Sequence, residues 1–464
     1  MRFMYKISLF IISFIVIAIS MLLPSKTLAQ VVIDSTLNVS LDDSASSELP
    51  FRISDVKKLS EEDLANKREG TYVTGVPEFS SDPLNGFGYG VEGSVYFNGK
   101  KSDPFFAYTP YRRKLDIVLF NTTRNQRELM VKLDIPYIFN SKWRLRVEGG
   151  YESNPNLVYF GNTVASLAPL SYYPNGDSSQ TLVNNAKYKD YENALTSADA
   201  NYNGYTKKEF IFNVSAEHSF FDGKVRVLGG YEFADVNISI FSGNSLLQKD
   251  NNAGKVIGLN HGVISMFQVG LVYDTRDLET DPNKGIFAEI TDEFSSTAFG
   301  SKYNFNKTFF QIKAYQRLLP SVFKKMILAG RFGTGYTAWD APFFEYQDEW
   351  SSEGSIEGLG GGHTIRGYKQ GRFLARGMTF GNIELRTRFF QTDIYKQHLA
   401  FSVVPFFDFG GVWDSFKHIA NANYYRYGEG MGLRIAWNVN TILRFDYAVS
   451  KEDAQFFFTF GHSF

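Results

Sequence analysis

A chain of 464 residues with net charge −1, 48 basic against 49 acidic side chains, carries no electrostatic footprint for nucleic acid. It has no cysteine, so disulfides and a lipid-modified cysteine are excluded. Aromatics reach 16%, with 44 Phe and 27 Tyr, and past the leader no apolar run is long enough for a membrane helix, which leaves a β-barrel as the way to cross a bilayer.

Residues 1–29 read as a secretory signal peptide. Arg2 and Lys6 form the basic start, Ile7 to Leu23 the apolar run and Thr27-Leu28-Ala29 the small-residue end, with cleavage expected near Ala29. Residues 30–70 read as a periplasmic segment. Val31 to Pro50 is a polar, serine-rich linker, and Ser54 to Lys67 carries helix signals, with Ser60 as N-cap ahead of Glu61 and Glu62. A short helix is expected over 54–69, at or inside the periplasmic mouth.

From Tyr72 onward the pattern has period two. In WRLRVEGGYE (143–152), Trp143, Leu145, Val147 and Tyr151 share one face, and Arg144, Arg146, Glu148 and Glu152 share the other. Ile383, Leu385 and Phe389 oppose Glu384, Arg386 and Arg388 in the same way, as Leu443, Phe445 and Tyr447 oppose Arg444 and Asp446. A soluble sandwich would also alternate. These strands, however, are roughly ten residues or longer, and their polar faces carry both signs of charge. Tight connections near 140–141, 222–223, 319–323 and 438–440 alternate with long polar ones at 154–205, 242–263, 339–376 and 415–425. Sixteen windows can be laid out between 71–79 and 454–464. The fold class is all-β: a transmembrane antiparallel β-barrel of about 16 strands over residues 71–464, with both ends of the sheet on the periplasmic side.

Motifs of soluble chemistry are weak. GYGVEG (88–93) has dinucleotide-type glycine spacing but runs into a strand, so no helix N-terminus is available for a phosphate. GLGGG (358–362) lacks the Lys-Ser/Thr ending of a phosphate loop. The six histidines form no paired zinc motif, and no Gly-x-Ser-x-Gly elbow occurs. No catalytic residue, cofactor or metal is expected, and a lumenal hydrolase has no motif behind it. The last strand, DAQFFFTFGHSF, puts Phe456, Phe458, Phe460 and Phe464 on one expected lipid-facing stripe. Phe460 and Phe464 resemble the terminal aromatic signal by which outer-membrane barrels are recognised for assembly.

Three stretches together resemble one family. VYDTRDLETDPNKGIFAEI (272–290), IRGY (365–368) and PFFDFGGVW (405–413) look like the barrel motifs of the BamA/TamA superfamily of bacterial surface antigens. The likeness is strongest over about 264–464. Arg366, Gly367 and Tyr368 match its loop motif, and Phe406, Asp408 and Gly410 match its F-x-D-x-G strand motif. Strand parity directs Phe406 and Asp408 into the lumen, where a carboxylate wants a cation. The bland alternative for Arg366 is a solvated loop arginine. The resemblance implies that Arg366 and Asp408 pair and pin a long loop inside the barrel. Gly367 would let its backbone approach the wall, and Tyr368 would pack there. Asp274 and Arg276 share inward parity and are expected as wall charges near the rim, ahead of a turn shaped by Pro282 and Gly285.

Most members carry periplasmic POTRA domains. Residues 30–70 are too few for one, so this chain is expected to be a barrel-only branch. The resemblance implies insertion or export of outer-membrane proteins or lipids, with outer-membrane lipids and other assembly or barrel proteins as partners. The alternative is a structural or accessory barrel, or a plugged pore, without insertase activity.

Overall fold

The computed structural model describes residues 48–464 apart from 83–84, 175–178, 198–201, 242–244 and 396. The expected signal peptide and the linker up to residue 47 lie outside the described residues.

Sixteen strands form one antiparallel sheet in sequence order. They are β1 (Thr71–Asp82), β2 (Gly86–Phe97), β3 (Arg113–Thr122), β4 (Arg127–Ile135), β5 (Trp143–Val158), β6 (Gly204–Phe220), β7 (Val225–Ile240) and β8 (Asn260–Asp274). There follow β9 (Gly285–Ser295), β10 (Phe305–Arg317), β11 (Met326–Trp339), β12 (Gly377–Ile394), β13 (Gln397–Trp413), β14 (Tyr425–Trp437), β15 (Thr441–Ser450) and β16 (Ala454–Phe460). Consecutive strands pair throughout, so inner strands satisfy their backbone groups within the wall, as a bilayer demands. The period-two pattern sets the two faces. On β8, Phe267, Val269, Leu271 and Tyr273 are exposed outward, while Met266, Gln268, Val272 and Asp274 are buried inward.

Loop length divides the rims less cleanly than expected. Four long loops do lie at one end, at 159–203, 241–259, 340–376 and 414–424. The same end also has three very short connections, at 83–85, 123–126 and 451–453, and the short-turn end includes the fifteen-residue segment 98–112. That segment is long because it folds under the N-terminal strap.

The strap is residues 51–69. The expected helix is present as two short pieces, a 3-10 turn (Asp55–Lys57) and α1 (Glu61–Asn66), the latter capped by Ser60 Oγ accepting from the Asp63 N–H at 3.1 Å. The strap crosses the short-turn mouth. Ser54 N donates to Asp222 O and Leu59 N to Ala107 O, both at 2.8 Å. Lys57 Nζ reaches Asp274 at 2.9 Å, and Arg388 reaches Glu62 at 2.9 Å. Leu59 and Leu64 pack on Leu278 and Val439.

Loop 340–376 fills the lumen beside β9 to β15, and a cavity of about 1020 Å³ remains on the β2 to β7 side. Across the top, loop 159–203 is tied to the β15–β16 hairpin by Tyr188 N donating to Glu452 O at 2.8 Å.

One expectation is corrected at the last strand. Phe456 is exposed on the outer face, but Phe464 is not on that stripe. Gly461 takes φ +78° and turns the chain inward. Phe464 then buries against Tyr315, Ile327 and Ala329, with the Arg331 and Arg386 guanidinium groups each 5.1 Å from its ring centre.

Candidate functional site

The inner faces of β12 to β15 place Glu384, Arg386, Asp408, Arg434, Arg444 and Asp446 around the tip of loop 340–376. Arg366 enters this group fully buried. Its Nε and Nη2 donate to the two Asp408 oxygens at 2.7 and 2.8 Å, and its backbone N–H donates to Asp408 Oδ2 at 3.1 Å. Nη1 donates to Glu384 at 2.8 Å and to Asp446 at 2.9 Å. The guanidinium carbon lies 3.4 Å from the Phe406 ring centre, so the ring closes one face of the cation. One arginine therefore serves three buried carboxylates. Arg434 bonds Asp446 and Glu384, and Arg386 bonds Glu384 at 2.9 Å. Asn382 Nδ2 donates to Asp408 Oδ1 at 2.7 Å and to Thr364 O at 2.6 Å, which ties the loop backbone to the same carboxylate.

The glycines explain how a loop backbone comes so close to a strand wall. Gly367 has φ +95°, and its carbonyl accepts from Ser450 Oγ at 2.6 Å. A Cβ on Gly410 would stand 2.7 Å from Ile365 Cδ1, and one on Gly428 would fall 1.9 Å from Arg366 O. Gly430 and Gly432 make room in the same way for Phe406 and for the Asp446–Arg434 pair. Tyr368 is buried edge-on to Phe373, 5.1 Å between ring centres, in an apolar cluster with Ile365 and Phe380.

The sequence motifs pointed to Arg366, Asp408 and Phe406 but missed Glu384, Asp446, Arg434 and the Gly428–Gly430–Gly432 row. The signal was present: glycine at every second position of YGEGMG, all on inward parity, marks a strand that another backbone approaches. Asp274 and Arg276 lie about the rim rather than in this group. Arg276 Nε bonds Asp274 at 3.0 Å, and its Nη2 bonds Glu353 of the loop at 2.5 Å. Lys313 bonds the other Glu353 oxygen at 2.6 Å. Burial opposes the charge on Glu353, yet Arg276 and Lys313 hold it well below the usual carboxylate range. Lys307 adds a third attachment, to Glu345 at 3.0 Å. Among the described residues no group of three His, Asp or Glu side chains is placed to hold a metal ion.

A model of the Omp85 superfamily domain matches residues 94–464, most of the chain. The chain belongs to the Omp85 superfamily. It is an outer-membrane β-barrel of the BamA/TamA type. A domain of unknown function, DUF5982, matches residues 49–112, which covers the strap and the first two strands. Over 183 residues the chain is 28% identical to outer membrane protein assembly factor BamA of Nitratidesulfovibrio vulgaris (strain Hildenborough); the match spans 36% of this chain and 21% of that relative. Among solved structures, BamA from Haemophilus ducreyi lacking POTRA domains 1-3 aligns with TM-score 0.49 and 15% identity, over 85% of this chain and 69% of that one. CdiB from Escherichia coli aligns with TM-score 0.48 and 11% identity, over 82% and 58%.

The inward turn of the last residues gives a pH prediction. His462 packs beside Asp281, Nε2 to Oδ1 at 3.1 Å. Burial, with Arg386 close by, pushes its imidazole down to about 4 against the pull of Asp281. The folded state thus binds fewer protons than the unfolded chain between about pH 4 and 6.5. Stability from this group is full above pH 6.5 and is lost as pH falls through that window. Relative to His462→Asn, the parent barrel should lose up to about 3 kcal/mol on acidification from pH 7 to 4. Taking the difference cancels carboxylates such as Glu357, which burial and Asp348 raise to about 7 and which act with the opposite sign. Parallel melting curves for the two proteins would reject the assignment.

Proposed function

We propose that this barrel, residues 71–464, inserts or exports polypeptide at the outer membrane through the junction of β1 and β16. The observation that carries the reading is that junction. Fifteen ladders join neighbouring strands in order, and among the described residues none joins β1 to β16. Near the short-turn rim the contact skips β16 altogether: Thr74 Oγ1 meets Thr441 Oγ1 at 3.3 Å, and Tyr96 OH donates to Asn440 O at 3.2 Å. The chain beyond Phe460 has turned into the lumen, so β15 and the turn before it face β1 and β2 there without a backbone ladder. Two unpaired edges of this kind are templates for an added strand. The Arg366 group would keep the loop as a fixed inner support while the edges part. Phe460, which still ends the wall, and the inward Phe464 would serve in recognition of the barrel itself. The curated relative named above is an outer membrane protein assembly factor, which agrees with this reading at family level.

A second reading, an accessory or structural barrel, is favoured by the strap and by loop 159–203, which cover both mouths. A disulfide separates the two. With no native cysteine, Thr74→Cys with Thr441→Cys creates one bond across the junction. Under oxidation this variant should stop incorporation of client barrels, and reductant should restore it. Normal client levels with the bond formed would support the accessory role instead.

A further inference from the structure

Seven connections make up the short-turn rim. Three bury their apolar residues beneath the strap: Phe105 and Phe106 in 98–112, Leu278 in 275–284, and Val439 in 438–440. The other four each send one large apolar side chain outward. Phe139 is 93% exposed, Phe221 76%, Leu319 56% and Tyr395 96%. Each of these four residues also has positive φ, +53°, +48°, +45° and +46° respectively. Bulky side chains rarely adopt this conformation, because the Cβ crowds the following carbonyl. Glycine or asparagine would fit these positions without strain, yet four separate turns hold a large apolar residue there and aim it away from the protein. Tyr137, with the same backbone sign, shows the contrast: it stacks inward on Phe105.

What covers the four tips follows from their neighbours on the wall. Trp143, Phe220, Leu328 and Ile394 are exposed on the outer, lipid-facing surface at the ends of the adjoining strands. The exposed apolar surface of the wall therefore continues from these strand ends onto the turns. We infer that these four turn tips are seated in the periplasmic leaflet, each holding its apolar side chain at the phospholipid headgroup–acyl boundary, and that they fix the depth of the barrel on that side. Aromatic and aliphatic groups gain most at this boundary. The strap also bonds turn 221–224, from Ser54 N to Asp222 O, but it leaves the Phe221 side chain, like the other three tips, outside its cover.

The full chain without native cysteine allows a direct test. Phe139→Cys, Phe221→Cys, Leu319→Cys and Tyr395→Cys are made singly, nitroxide-labelled and reconstituted in phosphatidylethanolamine–phosphatidylglycerol vesicles. Val269→Cys reports the lipid wall, and Lys58→Cys reports water. Power saturation should give the four tips high collision with oxygen and several-fold lower collision with a water-soluble nickel chelate than at Lys58. Nickel accessibility equal to that at Lys58 would overturn the inference and leave the tips for a protein partner. Heat-modified migration of each labelled protein certifies that it is folded, and the exposed tips are replaced without touching any packed residue.

Discussion

Arg366→Ala is expected to destabilise the docked loop more than Asp408→Ala does. Removing the cation leaves Asp408, Glu384 and Asp446 facing one another with no guanidinium between them, whereas removing Asp408 leaves Arg366 its other two carboxylates. Breaking a buried pair costs on the order of 3–5 kcal/mol, and this group sits beside a polar chamber, so the lower end is expected for Arg366→Ala and about half of that for Asp408→Ala. The barrel should still insert, because its ladders do not depend on the loop. Loosening should also be local. Amide exchange should quicken over 360–370, while 345–353 stays protected by Lys307, Lys313 and Arg276. A charge exchange, Arg366→Asp with Asp408→Arg, should rescue little, since it places a new acid beside Glu384 and Asp446. A double-mutant cycle measures the pair, and additive losses from the two alanine changes would show that the contact has no energetic weight.

Gly428→Val should have an effect at least as large, by a different route. The added Cβ would lie 1.9 Å from the Arg366 carbonyl oxygen, a contact with backbone that no side-chain rotation relieves. The IRGY tip must leave the wall, and the guanidinium leaves with it. Gly330→Ala is the control, because nothing lies within 4 Å of a Cβ there. Exchange over 360–370 should rise to that of an undocked loop in Gly428→Val and remain unchanged in Gly330→Ala. Preserved protection in Gly428→Val would mean that β14 can shift to accommodate the loop.

Strand order was legible because period two is a local property: side chains at 143–152 or 441–450 announce their faces whatever lies next to them. The inward parity of Phe406 and Asp408 followed from the same rule. What the rule could not supply was convergence. Glu384, Asp446 and Arg434 look like any lumen charges along their own strands, and only the shear of the sheet brings them to one level. Phe464 was misread because one glycine, Gly461, ends the alternation three residues before the end of the sequence. Segment 98–112 was longer than its rim suggested because a distant strap rests on it.

The strap also bears on timing. Its contact from Glu62 to Arg388 joins residues 326 apart, and Thr74 and Thr441 are 367 apart. Hairpins between neighbouring strands close short loops and can form early, but these contacts wait for β12 to reach the strap and for β15 to reach β1. Until then β1 lacks even its side-chain contact with β15, and the inner mouth has no cover. The nascent wall is thus exposed to wrong partners for longest at its first strand, and closing the mouth registers that the wall has been built at least as far as the turn before β15.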